Sequence, residues 1–197
     1  YRPGERWRGP ADDAVAVLET ASTIAVCFKA PTVELIETRA LPLHLVLSRL
    51  GPDLLDDDFD MADALARLGS SRKPIGEALL DQRLVAGIGN VYRSELLALA
   101  RVYPFAAACD LPAATLRELL DAARTQLRFN TDGEMRATMP GAPRGERWVY
   151  RRAGLPCRRC GTGIRSVTVG RPARRLYWCP HCQAPHGQGE TTAESAR

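Results

Sequence analysis

The sequence predicts an α+β protein built from three successive blocks. Three observations carry that prediction. Short apolar runs of strand character stand at residues 14–18, 24–28 and 33–36, the period becomes helical from Phe59 onward, and two Cys-x-x-Cys pairs stand near the end of the chain. With 197 residues, 45% hydrophobic and 25% charged, there is enough apolar material for a buried core, and an intrinsically disordered chain is excluded. No apolar run approaches the length that spans a bilayer, and no secretory signal pattern is present. The expected setting is therefore the cytoplasm. The chain starts at Tyr1 and not at Met.

In the first block, Ile24, Val26 and Phe28 alternate with Ala25 and Cys27, and residues 14–18 and 33–36 form similar short runs, so three strands are expected. Pro31, Pro42 and the pair Gly51-Pro52 punctuate them. The acidic stretch 53–60 reads as a solvated loop and helix entry, because it lacks the glycine and closing glutamate of a calcium loop. Met61, Ala64, Leu65 and Leu68 then stand at i, i+3, i+4 and i+7, with Gly69 as the stop. Pro74 opens a second helix through Ile75, Ala78 and Leu79. A third helix follows the break at residues 85–90, with Tyr92, Leu96 and Leu99 on one face, and a fourth starts near Pro112, with Leu116, Leu119, Leu120, Ala123 and Leu127 as its stripe. Residues 131–147, rich in Gly and Pro, read as a linker. Residues 164–169 and 176–178 read as the two strands of a hairpin, and the polar tail as disordered.

Charge is distributed unevenly. Residues 144–182 carry ten arginines against one acid, Glu146, and only Lys29 and Lys73 among the 27 cations are lysines. A concentrated arginine block points to a polyanion, since the guanidinium binds phosphate bidentately; a solvated basic face is the alternative. The spacing Cys157-x2-Cys160-x18-Cys179-x2-Cys182 matches a four-thiolate zinc site, with one ion per chain. Two disulfides would be the alternative, but nothing indicates an oxidising compartment. Four thiolates close the coordination shell, so the zinc is expected to be structural. His181 and His186 are then surface residues, His44 a satisfied structural histidine, and Cys27 and Cys109 small buried hydrophobes. Gly87 and Gly89, followed by Asn90 at a helix start, permit a tight turn and close approach of an anion to unpaired N–H groups. The plainer reading is an ordinary turn with Asn90 as N-cap.

Residues 80–95, Leu-Asp-Gln-Arg-Leu-Val-Ala-Gly-Ile-Gly-Asn-Val-Tyr-Arg-Ser-Glu, resemble the helix–two-turns–helix element of the formamidopyrimidine-DNA glycosylase and endonuclease VIII family. Residues 156–161 and 177–183 resemble that family's zinc finger, in the endonuclease VIII flavour, and both motifs stand in the family's order. The resemblance is specific over residues 60–183. It implies a partial N-terminal β-sandwich in residues 1–52, a helix–two-turns–helix domain with linker in 53–147, a zinc-finger hairpin in 148–183 and a disordered tail in 184–197. It implies base-excision repair by a bifunctional glycosylase and AP lyase that flips an oxidised base out of double-stranded DNA and cuts the strand by β,δ-elimination. A monomer associated with the nucleoid is expected. Asn90 takes the place of the family's phosphate-binding asparagine, with Gly87 and Gly89 beside it, and Arg174 that of the finger-tip arginine assigned to phosphate contact and δ-elimination. Arg171 and Arg175 are neighbours that could do the same work.

The family's nucleophilic proline and adjoining glutamate have no match, and neither does its early lysine. Pro3 is not terminal, so its nitrogen is an amide without a lone pair for attack. The expectation is that the first half of the sandwich lies upstream and that residues 1–197 alone bind abasic DNA without cutting it. The alternative is a non-catalytic binder of damaged DNA with the same architecture. A zinc ribbon for RNA or protein would account for the cysteines but not for Gly87, Gly89 and Asn90.

Overall fold

The computed structural model describes residues 1–131, 138–139, 143 and 145–185 and divides into two compact units, Tyr1–Ser48 and Arg49–Arg197. In the first unit, β1 (Ala14–Glu19) pairs antiparallel with β2 (Ile24–Phe28), Val17 opposite Val26, with a register shift between Ala14 and Ala16. Alternation is visible in β2, where Ile24, Val26 and Phe28 are half-buried while Ala25 and Cys27 are exposed. The expected third strand is not formed. Residues 33–36 find no ladder partner among the described residues, and Val33 and Leu35 stand exposed. An apolar alternating run becomes a strand only where a neighbour takes its N–H and C=O groups. The sheet of this unit therefore has two strands, and the sandwich is not seen within it.

The second unit holds α1 (Met61–Gly69), α2 (Ile75–Ala78), α3 (Asn90–Leu99), α4 (Ala113–Phe129) and the hairpin β3 (Arg165–Val169) and β4 (Arg174–Trp178). Three of the four helices have a local reason at their start. Asp60 caps α1 by accepting from the Asp63 N–H at 2.9 Å, and Pro74 and Pro112 stand immediately before α2 and α4. The amphipathic stripes meet in one core containing Leu68, Ile75, Leu79, Leu96, Leu119 and Leu120, all essentially inaccessible to water. Burying each such side chain contributes roughly 1.5–3 kcal/mol.

The hairpin belongs to the same unit. β4 packs on α3, Leu176 is buried, and Trp178 meets Phe105 edge-on at 5.1 Å. Gly76 makes this approach possible, since a Cβ there would lie 2.9 Å from the Pro104 carbonyl oxygen and 3.4 Å from Leu176. A second small core gathers Ala98, Val149, Ile164 and the cysteines Cys157 and Cys179. No helix among the described residues is long and apolar enough to cross a membrane.

Candidate functional site

The turn before α3 is held by one side chain that sequence reasoning did not single out. Gln82 accepts the Gly87 N–H at 3.0 Å and donates to the Ile88 carbonyl at 3.1 Å, while buried Ile88 anchors the turn from below. Gly87 has φ +105°, a conformation that side chains rarely adopt, whereas Gly89 is extended and a Cβ there would meet nothing within 4 Å. The turn needs Gly87; the space beside Gly89 is open.

The N-cap expectation for Asn90 is corrected. Gly89 is the N-cap, and no side chain caps α3. Asn90 is the first helical residue, and its Oδ1 accepts from Arg93 Nη2. Arg93 explains the change. It is fully buried, donates to the Gly76 carbonyl at 3.3 Å and to the Arg175 carbonyl at 2.8 Å, and so takes Asn90 as a further acceptor. Burial pulls its pKa down to about 10, against the pull of Glu77, so it remains a cation at neutral pH.

Asn90 and Gly89 open onto a cleft of about 510 Å³ whose walls include Lys73, Asp81 and Arg83 on the helical side and Gly170, Arg171 and Arg174 on the hairpin side. Arg174 is the first residue of β4, opposite Val169, and is exposed. The structure thus brings Gly89, Asn90, Arg171 and Arg174 to one cleft. Gly87 lines a different cleft with Asn130 and Thr131, and Arg175 lines neither, its carbonyl being the part that holds Arg93. An uncapped helix start beside two exposed guanidinium groups is a surface suited to a phosphate.

The four cysteines converge. The Sγ atoms of Cys157, Cys160, Cys179 and Cys182 all lie within 4.8 Å of one another, with neighbouring pairs at 3.4, 3.5 and 3.9 Å. A tetrahedral ion with metal–sulfur bonds of about 2.3 Å would space its sulfurs by about 3.8 Å, so these residues fit a closed four-sulfur site. His181 is exposed beside it, and His186 lies outside the described residues. Among the described residues no other group of three or more His, Cys, Asp or Glu side chains has such spacing.

Several arginines of the basic block have structural work. Arg159 lies over the Trp148 ring at 4.4 Å and donates to the Ala98 and Leu99 carbonyls at the end of α3. Arg152 donates to the Trp148 and Pro156 carbonyls, and Arg158 pairs with Glu146 at 2.8 Å. The charge excess therefore overstates what is offered to a partner. Two buried polar residues also went unnoticed in the sequence. Glu95 accepts the Trp148, Val149 and Tyr150 N–H groups at 2.7, 2.9 and 2.8 Å and the Thr138 hydroxyl at 2.7 Å. Gln183 ties the Cys179 N–H to the Val102 carbonyl, both at 3.0 Å; its one sequence signal is its place directly after the second Cys-x-x-Cys.

His44 is partnered by Glu34 at 2.9 Å. Cys27 and Cys109 are exposed, not buried: Cys27 falls on the outward face of β2, and Cys109 sits in a one-turn helix at the surface.

With this geometry in view, the description "Formamidopyrimidine-DNA glycosylase H2TH domain" matches residues 50–135. The chain is 40% identical over 204 residues to "Probable endonuclease 8 2" of Streptomyces coelicolor, covering all of this chain and 73% of that protein. It is 40% identical over 172 residues to "DNA-(apurinic or apyrimidinic site) lyase Nei2" of Mycolicibacterium smegmatis, covering 85% of this chain and 65% of that one. The Lactococcus lactis Fpg in complex with DNA containing an abasic site superposes with a TM-score of 0.69 at 28% identity, over 86% of this chain and 65% of that one. The chain thus spans between about two-thirds and three-quarters of the length of these proteins.

Proposed function

Because the chain belongs to the formamidopyrimidine-DNA glycosylase and endonuclease VIII family, we propose that it serves base-excision repair as part of a bifunctional DNA glycosylase and AP lyase acting on oxidised bases. Its second unit grips double-stranded DNA at the lesion. The observation that carries this reading is the single cleft shared by Asn90, at the uncapped start of α3, and Arg174, at the start of β4. Asn90 and the first turn of α3 hold one backbone phosphate, and Arg174 closes on it from the hairpin and assists δ-elimination. Arg171 adds charge at the same wall.

Zinc is the ion we assign to Cys157, Cys160, Cys179 and Cys182, because four soft thiolates in a closed tetrahedral set suit it and leave no position for a substrate. When bound it supplies a cross-link between the two Cys-x-x-Cys turns. The rest is done by the chain: Gln183, Arg159 and Arg93 fix the finger against α3 and the segment that follows it.

A second reading concerns the chemistry of residues 1–197 by themselves. Lys29 pairs with Asp13 at 3.0 Å, and Lys73 pairs with Asp81 at 2.7 Å. An amine nucleophile must present a lone pair to C1′ of the sugar, and each of these is engaged otherwise. We infer that residues 1–197 by themselves bind an abasic duplex without forming a Schiff base. Borohydride trapping decides this: binding to an abasic-analogue duplex in preference to RNA, with no covalent adduct, is the expected result. An adduct lost on mutating Lys29 or Lys73 would place the nucleophile within this chain, and equal affinity for RNA would remove the DNA-repair reading.

A further inference from the structure

Opposite the hairpin, the helical wall of the cleft carries a cluster to which the reading above gives no role. Asp81 accepts from Lys73 Nζ at 2.7 Å, from Arg83 Nη2 at 2.8 Å, from Arg83 Nε at 2.9 Å and from the Arg83 N–H at 3.2 Å. The carboxylate is the inner member, its side chain 12% exposed, while the side chains of Lys73 and Arg83 are 48% and 64% exposed. Asp81 serves its own turn by accepting the Arg83 backbone N–H, whereas the two cations stay largely in water, where an ion pair contributes only about 0–1 kcal/mol to stability. Both cations also stand on fixed backbone: the Lys73 carbonyl accepts the Ala108 N–H at 2.9 Å, and the Arg83 carbonyl accepts Arg67 Nη1 at 3.1 Å.

We propose that Lys73 and Arg83 form a second phosphate seat, gripping a backbone phosphate distinct from the one held by Asn90 and Arg174. The proposal rests on the reading that this cleft receives DNA. The donors are there. An ammonium has three N–H donors and a guanidinium five, and Asp81 occupies one and two of them respectively. Asp81 holds both groups on one wall, so that little side-chain freedom is lost when a ligand arrives. The room is there as well. The cleft's 510 Å³ is more than ten times the roughly 30 Å³ share of one water, enough for a length of sugar–phosphate backbone and not only one anion. Arg171 and Arg174 line the cleft from the hairpin and Lys73 and Arg83 from the helical segments, with the carboxylate of Glu77 among them, so a strand lying in it meets cations from both elements.

The test uses residues 1–197 and an abasic-analogue duplex in which single linkages are replaced, one at a time, by neutral methylphosphonates. Wild-type protein loses affinity at each gripped phosphate. Lys73→Gln and Arg83→Gln each leave Asp81 one cationic partner and are checked for unchanged melting. Both are expected to become insensitive to the same single linkage, one different from the linkage to which Arg174→Ala is insensitive. Each variant should also flatten the dependence of log affinity on log salt, by up to about 0.9 for one phosphate. Full wild-type sensitivity of both variants at every linkage, or insensitivity at the Arg174 linkage, overturns the second seat while leaving the Asn90 and Arg174 reading standing. If Arg174→Ala too keeps wild-type sensitivity at every linkage, the reading on which the proposal rests fails with it.

Discussion

Two glycines separated by one residue have opposite physical jobs. Gly87, at φ +105°, is demanded by the turn, so Gly87→Ala should lower stability by about 1–3 kcal/mol in a thermal or urea melt. Gly89 is extended and faces open space, so Gly89→Ala should melt like wild type and lose affinity for duplex DNA, its new methyl standing where the backbone approaches. Reversal of that pattern would mean that Gly89 serves the fold. Asn90 can be divided in the same way, because its Oδ1 serves Arg93 and not the helix cap. Asn90→Asp keeps the acceptor and places a negative charge at the helix start, a gain of about 0.3–1 kcal/mol. The variant should melt at or above wild type and bind DNA markedly less well, since its carboxylate repels the phosphate. The turn and the helix start at 87–90 were legible in the sequence; the bond of Asn90 to Arg93 was not, because Arg93 looked like an ordinary helical arginine and its acceptor at Arg175 lies 82 residues away.

At the scale of elements, α3 is the member to which the hairpin and residues 148–150 are tied. Arg93 binds its first turn to β4, Arg159 caps its last carbonyls, and Glu95 in its middle takes three consecutive backbone N–H groups of residues 148–150. Hydrogen bonds to a charged group contribute about 1.5–3 kcal/mol, so Glu95→Gln, which turns one acceptor oxygen into a donor, should cost at least that much in a urea titration. A variant as stable as wild type would show that residues 148–150 are held by something else. The helices themselves were readable, since i, i+3, i+4 spacing over two or more turns reports a buried stripe directly. Residues 33–36 mark the limit of such reading: alternation shows that a segment can be a strand, but pairing needs a partner that no local pattern names. Cys27 and Cys109 fail for a related reason, since apolar neighbours in sequence do not fix which face a side chain takes.

Across the whole molecule, the arginine excess of residues 144–182 and the four cysteines belong to one device. Some of those arginines bond to carbonyls and hold the finger to α3, and others stand at its tip, a division that net charge cannot show. If the thiolates hold zinc with the roughly 10–16 kcal/mol typical of structural sites, chelation or Cys160→Ser should abolish duplex binding while helical circular dichroism largely persists. Elemental analysis showing a folded, DNA-binding chain without metal would contradict that. The proposed grip on a DNA phosphate belongs to one cleft, walled by the start of α3 and the tip of the hairpin. Its most direct test is the salt dependence of affinity for an abasic-analogue duplex, compared between wild type, Arg174→Ala and Arg175→Ala. Arg174 lines the cleft and Arg175 does not, so the slope of log affinity against log salt should fall by about 0.9 for Arg174→Ala and change little for Arg175→Ala. A larger fall for Arg175→Ala, or no change for Arg174→Ala, would mean that this cleft does not hold the phosphate.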